Sequence, residues 1–147
     1  MKKKILIIAG VAIAVIIAAI LCFIFFGHGE RTLEEITSAK AGGGCLRYTV
    51  DNYTTVEISF TSHSKNGDER EGTCFVSKNY YKKASYSASG KVFDHCDTQE
   101  IPCSFTDYSL TLNGIDHYTY KVIQFNGSEY VEFSKPFMGQ TSWYINK

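Results

Sequence analysis

The stretch SLTLNGIDHYTYKVIQFNGSEYVEFS, residues 109–134, decides the fold. Asn113-Gly114 and Asn126-Gly127 divide it into three runs that read as extended chain. Successive side chains of such a chain point to opposite faces. Asn-Gly suits a type I′ hairpin because both central positions need positive φ, which Asn tolerates and Gly adopts freely. The stretch therefore reads as an antiparallel meander with strands at 109–112, 117–125 and 128–134.

Working outward, TVEISFT at 55–61 shows clean alternation: Val56, Ile58 and Phe60 share one face, and Thr55, Glu57, Ser59 and Thr61 the other. Further strands are expected at 45–50, 72–78, 81–87, 91–93 and 141–145, about nine in all. Asn66-Gly67 and Ser89-Gly90 supply more turn signals, and the polar segment 61–72, with His63, is expected to form an exposed hairpin tip. No helical period separates the strands, which excludes a parallel α/β fold and leaves an all-β domain, a small antiparallel sandwich or barrel. Beyond residue 26, 18 Phe, Tyr and Trp residues exceed 16 Leu, Ile and Val. Aromatics bury roughly 150–250 Å² each, so they can supply the core of a small domain. Phe60, Phe75, Tyr118, Tyr120, Phe125 and Phe133 are the candidate interior set.

Ahead of the domain lies a segment of another kind. Residues 5–26 carry no charge, and 21 of the 22 are hydrophobic, Gly10 being the exception. As a helix they would rise about 33 Å, enough to cross a hydrocarbon core of about 30 Å. The segment is longer than a cleavable signal core and ends in bulky residues, so it reads as an uncleaved transmembrane signal anchor. Leu21 stands where a lipidation site at Cys22 would want a small residue. Lys2, Lys3 and Lys4 precede the span, whereas His28-Gly29-Glu30-Arg31 follows it nearly balanced. Residues 1–4 are therefore expected to be a cytoplasmic basic stub, with the C-terminal domain extracellular, periplasmic or lumenal. Thr32-Leu33-Glu34-Glu35 has the form of a capping box, so 27–44 is expected to hold a short juxtamembrane helix, a spacer ending in the joint Gly42-Gly43-Gly44. The β-domain then occupies 45–147.

Charge and cysteine content narrow the function. The whole chain balances 15 Lys+Arg against 15 Asp+Glu, but without the three N-terminal lysines the remainder carries 12 basic and 15 acidic side chains, a net −3. No basic stripe exists for nucleic acid. Cys45, Cys74, Cys96 and Cys103 form an even set in an exported domain and read as two disulfides. Of the three pairings open to them, the short Cys96–Cys103 separation favours a local clasp, leaving Cys45–Cys74. There is no C-x-x-C pair, so no zinc or other metal site is expected.

Two Asp-His pairs, Asp94-His95 and Asp116-His117, could orient an imidazole for proton transfer, but strand neighbours point to opposite faces, so both read as ordinary surface residues. No nucleophile elbow and no phosphate-binding glycine loop occurs. No catalytic residue and no cofactor is assigned. Aromatics and lysines mix at Tyr80-Tyr81-Lys82-Lys83 with Tyr86, and at Tyr118-Thr119-Tyr120-Lys121. Such mixtures stack on sugars or peptides when exposed, and pack when a strand face is buried. Asn52-Tyr53-Thr54 and Asn126-Gly127-Ser128 are glycosylation sequons that an outward topology would make accessible. The sequence thus points to a protein held in the lipid bilayer through residues 5–26 and displaying a non-enzymatic binding or envelope-surface module for a protein or glycan partner. The alternative is a small β-barrel that binds or transfers an apolar ligand at the membrane surface.

Overall fold

The computed structural model describes residues 31–38 and 44–147. The basic stub, the apolar span 5–26, Cys22, His28 and the glycines 42 and 43 lie outside the described residues. No helix among the described residues is long and apolar enough to cross a membrane.

Eight strands follow one another around a closed antiparallel barrel: β1 Cys45–Asp51, β2 Thr54–Asn66, β3 Glu69–Lys83, β4 Lys91–Phe105, β5 Ser109–Leu112, β6 Asp116–Phe125, β7 Ser128–Phe137 and β8 Gln140–Asn146. Each pairs with the next, and β1 closes on β8 through Cys45↔Asn146, Leu46↔Ile145 and Arg47↔Tyr144. The all-β expectation holds and the choice between sandwich and barrel resolves to a barrel. Among the described residues the count is eight rather than nine, because the expected strand 72–78 and the first residues of the expected 81–87 belong to the single strand β3, which ends at Lys83; 84–87 are not strand. The polar segment 61–72 is mostly strand as well: β2 and β3 pair down to Asn66↔Glu69, leaving Gly67 and Asp68 as the tip. Gly67, with φ 61°, takes the first central position of that turn, so the hairpin is of the II′ kind rather than the expected I′.

The other turns follow the sequence more closely. Asn113 and Gly114, and Asn126 and Gly127, all have positive φ, as a type I′ turn requires. A fifth tight turn uses Met138 (φ 48°) and Gly139 (φ 84°) between Phe137 and Gln140. It is anchored by Trp143, whose indole Nε1 donates to the carbonyls of Phe137 and Gln140, each at 3.2 Å.

Inward residues fill the barrel. Trp143, Phe60, Phe105 and Phe137 are fully buried, with ring centroids 6.0 Å apart for Phe60–Phe105 and 6.0 Å for Phe137–Trp143. Phe133 lies 4.6 Å from Phe137, and Tyr118 meets Phe137 edge-on at 5.4 Å. Of the candidate interior set, Phe60, Tyr120 and Phe133 are buried and Tyr118 packs against them, whereas Phe125 is 62% exposed. Phe75 follows the buried Cys74 and therefore points to the outer face of β3.

The helix α1, Leu33–Thr37, carries the expected capping box, with Glu35 N donating to Thr32 Oγ1 at 3.2 Å and Thr32 N to Glu35 Oε2 at 2.8 Å. Leu33 and Ile36 are buried in the same cluster as the barrel core, so α1 is built into the domain rather than acting as a spacer. It also caps a sheet edge. Past Leu46↔Ile58, the lower part of β2 has no β1 neighbour. There Thr37 Oγ1 accepts from Phe60 N at 3.0 Å, and the Glu34 carboxylate accepts from Ser62 N at 2.8 Å and from Ser62 Oγ at 2.6 Å.

At the same level β2 shifts register between Ser62 and Ser64, leaving His63 unpaired, and bends over Gly72. A Cβ at Gly72 would sit 1.9 Å from the Thr61 carbonyl oxygen. We therefore expect Leu33→Ala in the full chain to cost about 3 kcal/mol, as other buried leucine truncations do. Gly72→Ala should cost about as much through overpacking against backbone. Urea unfolding followed by the fluorescence of the single tryptophan, Trp143, measures both. A loss below about 0.5 kcal/mol for Leu33→Ala, the range of surface substitutions, would show that α1 is not seated in the core.

Candidate functional site

All four described cysteines are free thiols, so the expected disulfides are absent. The strand register explains why. Cys96 and Cys103 lie on one strand seven residues apart, about 23 Å along an extended chain, whereas a disulfide spans roughly 4.4–6.8 Å between Cα atoms. Cys74 points into the barrel, while Cys45, next to the inward Leu46, points out, so Cys45–Cys74 would have to cross the sheet. Cys74 and Cys103 are both inward and diagonal to one another, since Cys74 pairs with Ile101 and Cys103 with Gly72. Diagonal neighbours are about 7–8 Å apart, beyond a disulfide's reach. Burial pushes the Cys74 thiol well up, with a further contribution from Cys103, and raises Cys103 from 9.0 to about 11. These two behave as small apolar core residues. Cys45 is also raised, chiefly by burial and then by the Glu57 carboxylate.

The histidines do not converge. His117 Nδ1 hydrogen-bonds Thr111 Oγ1 at 2.9 Å, and the Thr111 level of β5 pairs with Ser104 of β4. His95 stands nine positions from Ser104 on β4, about 30 Å away along the strand. His95 Nδ1 contacts Asp94 at 2.8 Å, and Lys82 Nζ contacts the same carboxylate at 3.1 Å. These two hydrogen bonds hold the Asp94 carboxyl below its usual range, so it stays ionised and His95 Nδ1 donates. Among the described residues no group of three or more His, Cys, Asp or Glu side chains is arranged to hold a metal ion.

Of the two aromatic–lysine segments, one is used in packing and one is displayed. Tyr118 and Tyr120 face the core, where the Tyr120 hydroxyl donates to the Thr106 carbonyl at 2.8 Å. A groove of about 370 Å³ runs beside them, lined by Thr119, Lys121, Glu132 and Ser134. Its polar groups pair with one another: Lys121 with Glu132 at 3.2 Å, and Thr119 N with Ser134 Oγ at 3.0 Å.

The other segment sits on the β3–β4 hairpin. β4 has 15 residues against 4 in its neighbour β5, and past the last β2 pair, Thr54↔Tyr80, the β3–β4 hairpin runs on alone into a loop at 84–90. On one face Tyr81 meets Phe93 edge-on at 6.1 Å, and the Lys91 ammonium lies 5.1 Å from the Tyr81 ring. The opposite face carries Tyr80, stacked on His95 at 4.5 Å, with Lys78 Nζ 5.3 Å from the Tyr80 ring. Tyr81 N donates to the Tyr53 carbonyl at 2.8 Å and Lys91 Nζ to the Asn52 carbonyl at 3.0 Å, tying the hairpin to the β1–β2 turn. Phe93 is 56% exposed and Tyr86, at the tip, 84%. This is a braced aromatic surface with cations beside it, suited to stacking against a flat or extended ligand. Sequence reading found Tyr80, Tyr81, Lys82 and Tyr86, and His95 only as part of an Asp-His pair, but did not place Phe93, Lys91 and His95 beside the tyrosines, because the register that brings β4 beside β3 is not legible in either strand alone.

Comparison with family profiles, with curated proteins and with solved structures returns no match.

The four thiols should differ in reactivity. After reduction, at pH 8, iodoacetamide is expected to modify the exposed Cys96 first and Cys45 more slowly, and to reach Cys74 and Cys103 only after unfolding, as read by mass spectrometry. Stability should also fall in alkali. In the unfolded chain the thiols ionise near pH 9, whereas Cys103 in the fold holds its proton to about 11 and Cys74 and Tyr120 are raised further by burial. This stabilising difference is complete below pH 9 and is lost as pH rises from 9 through 11. A melting temperature unchanged across that window would contradict it.

Proposed function

We propose that this chain is a single-pass membrane protein, anchored through residues 5–26 with its N-terminus cytoplasmic, that displays the barrel outside the membrane as a non-enzymatic binding module. The reading rests on one observation above the rest: three exposed aromatic residues, Phe93, Tyr86 and Tyr53, belong to the β3–β4 hairpin and the turn tied to it. The barrel interior, by contrast, is occupied by Trp143, Phe60, Phe105, Phe133 and Phe137. That packing favours recognition on the surface over carriage of an apolar ligand inside. The partner is a protein or glycan whose flat faces stack on Tyr81 and Phe93, with Lys91 supplying charge. Catalysis is not part of the reading, since the two described imidazoles with side-chain partners stand far apart on the sheet.

Two measurements test it. A membrane-impermeant maleimide applied to intact cells after an impermeant phosphine reductant should label Cys96, and protection of Cys96 until lysis would overturn the outward topology. A photocrosslinking amino acid at position 93 in the full chain should give a discrete adduct that weakens several-fold with Tyr81→Ala. The same probe at Gln124, on β6, should give none. Equal adducts from both positions would reject the hairpin as the binding site.

A further inference from the structure

We propose that the free edge of β4 pairs with the same edge of a second copy of this chain, about a two-fold axis through Cys96. β4 spans Lys91–Phe105 and pairs with β3 along nearly its whole length, but with β5 only at Cys103, Ser104 and Phe105. A further contact, Asn113 N to the Pro102 carbonyl at 2.8 Å, ends the contact with β5. From Lys91 to Ile101, then, one side of β4 has no strand beside it among the described residues. An exposed strand edge is a template for another strand unless it is covered or blunted. The lower edge of β2 is covered in this way, its Phe60 and Ser62 amides being taken up by Thr37 and Glu34. The β4 edge has no such cap among the described residues.

The sequence of the edge selects the occupant. Cys96 lies at the midpoint of the free stretch 91–101. A two-fold axis there runs the strands antiparallel and sets each residue opposite the one equally far on the other side of position 96. His95 then faces Asp97 of the second copy, twice over; the register shift at Asp94 ends the regular alternation there. Acidic residues on an edge ordinarily repel another acidic strand. In this register Asp97 meets an imidazole, so the centre of the edge complements itself.

The two Cys96 side chains stand directly opposite on one face of the joined sheet. Facing residues in antiparallel strands have Cα atoms about 4.5–5.5 Å apart, inside the range a disulfide spans. The exposed thiol has only Thr98 Oγ1 within hydrogen-bonding reach, at 3.6 Å. Two Cys96 thiols give up two protons and two electrons to a disulfide-exchange oxidant and one S–S bond forms, locking the pair covalently. The covalent step in cells rests on the outward topology proposed above, whereas the edge pairing does not.

The test uses the full chain in detergent micelles with copper phenanthroline as oxidant. A species of twice the chain mass should form on a non-reducing gel, be lost completely in Cys96→Ser, and persist in Cys45→Ser and in Cys74→Ser. Register is tested in the Cys96→Ser background. Chains carrying His95→Cys mixed with chains carrying Asp97→Cys should cross-link, because that mixture sets the two new thiols opposite each other and keeps one His95–Asp97 contact. Neither variant alone should cross-link to itself. A dimer that survives Cys96→Ser, or self-linking of His95→Cys equal to the mixture, would overturn the proposal. Cross-linking in micelles without a disulfide in cells would uphold the edge pairing and count against the outward topology, which separates the two failures.

Discussion

Three residue pairs close this barrel. The contact of Cys45, Leu46 and Arg47 with Asn146, Ile145 and Tyr144 turns an eight-strand meander into a ring, and every other feature depends on it. It brings Leu46 and Ile145 together inside, both essentially without solvent exposure. On the outside, the Arg47 guanidinium gathers the Glu57 carboxylate from the next strand, Nε to Oε1 at 2.8 Å, and the Asn146 amide oxygen at 3.2 Å from the closing one. A ring of eight strands leaves an interior that side chains can just fill. This sequence fills it with large rings, and α1 adds Leu33 and Ile36 to the same cluster beside the uncovered part of β2.

The same ring is uneven, and function follows from the unevenness. Closure needs only as many residues from each strand as its neighbours can meet. β5 offers four, while β3 and β4 offer fifteen each. The part of β4 beyond its short contact with β5 has no strand on that side, and Phe93 to Glu100 are all exposed. Past the last β2 pair, Thr54↔Tyr80, β3 and β4 run on as a two-stranded ribbon, which alone in water is marginal. Here it is braced by the β1–β2 turn through Tyr53 and Asn52, and by the Lys82–Asp94–His95 cluster at its bulge. Rigidity without burial is what a recognition surface needs, since little ordering entropy is then lost on binding.

These facts also show how far the sequence could be read. The meander 109–134 was legible because its strands are short, alternating and separated by residues whose φ preferences leave few choices. The capping box of α1 was legible for the same local reason. What escaped was non-local. β4 beyond residue 93 carries acids and Pro102 and shows no half-buried alternation until Ile101, since the sheet outruns its core there. The turn at Met138-Gly139 escaped because an unbranched apolar residue rarely takes positive φ; the anchoring of Trp143 to the carbonyls on either side of the turn holds it there. α1 looks like a spacer in the sequence because its Leu33 and Ile36 are too few to announce a partner, and only the folded barrel core supplies one.

The cysteines show how one residue type acquires different chemistry from its position on a sheet. Counting them suggested two bridges, but counting ignores facing. On a strand the parity of position decides whether a thiol sees the core or solvent, and the register decides which neighbour it sees. Cys74 and Cys103 share the inner parity and take the place of small aliphatic residues, protonated and unreactive. Cys45 has the outer parity and lies at the closing seam, within the field of Glu57 and Arg47. Cys96 also has the outer parity, but on the part of β4 that extends past the barrel, where no strand covers its edge. Of the four, only that thiol is both exposed and beside backbone that no described strand pairs with, and a strand brought to that backbone by a second copy carries an identical thiol at the matching height.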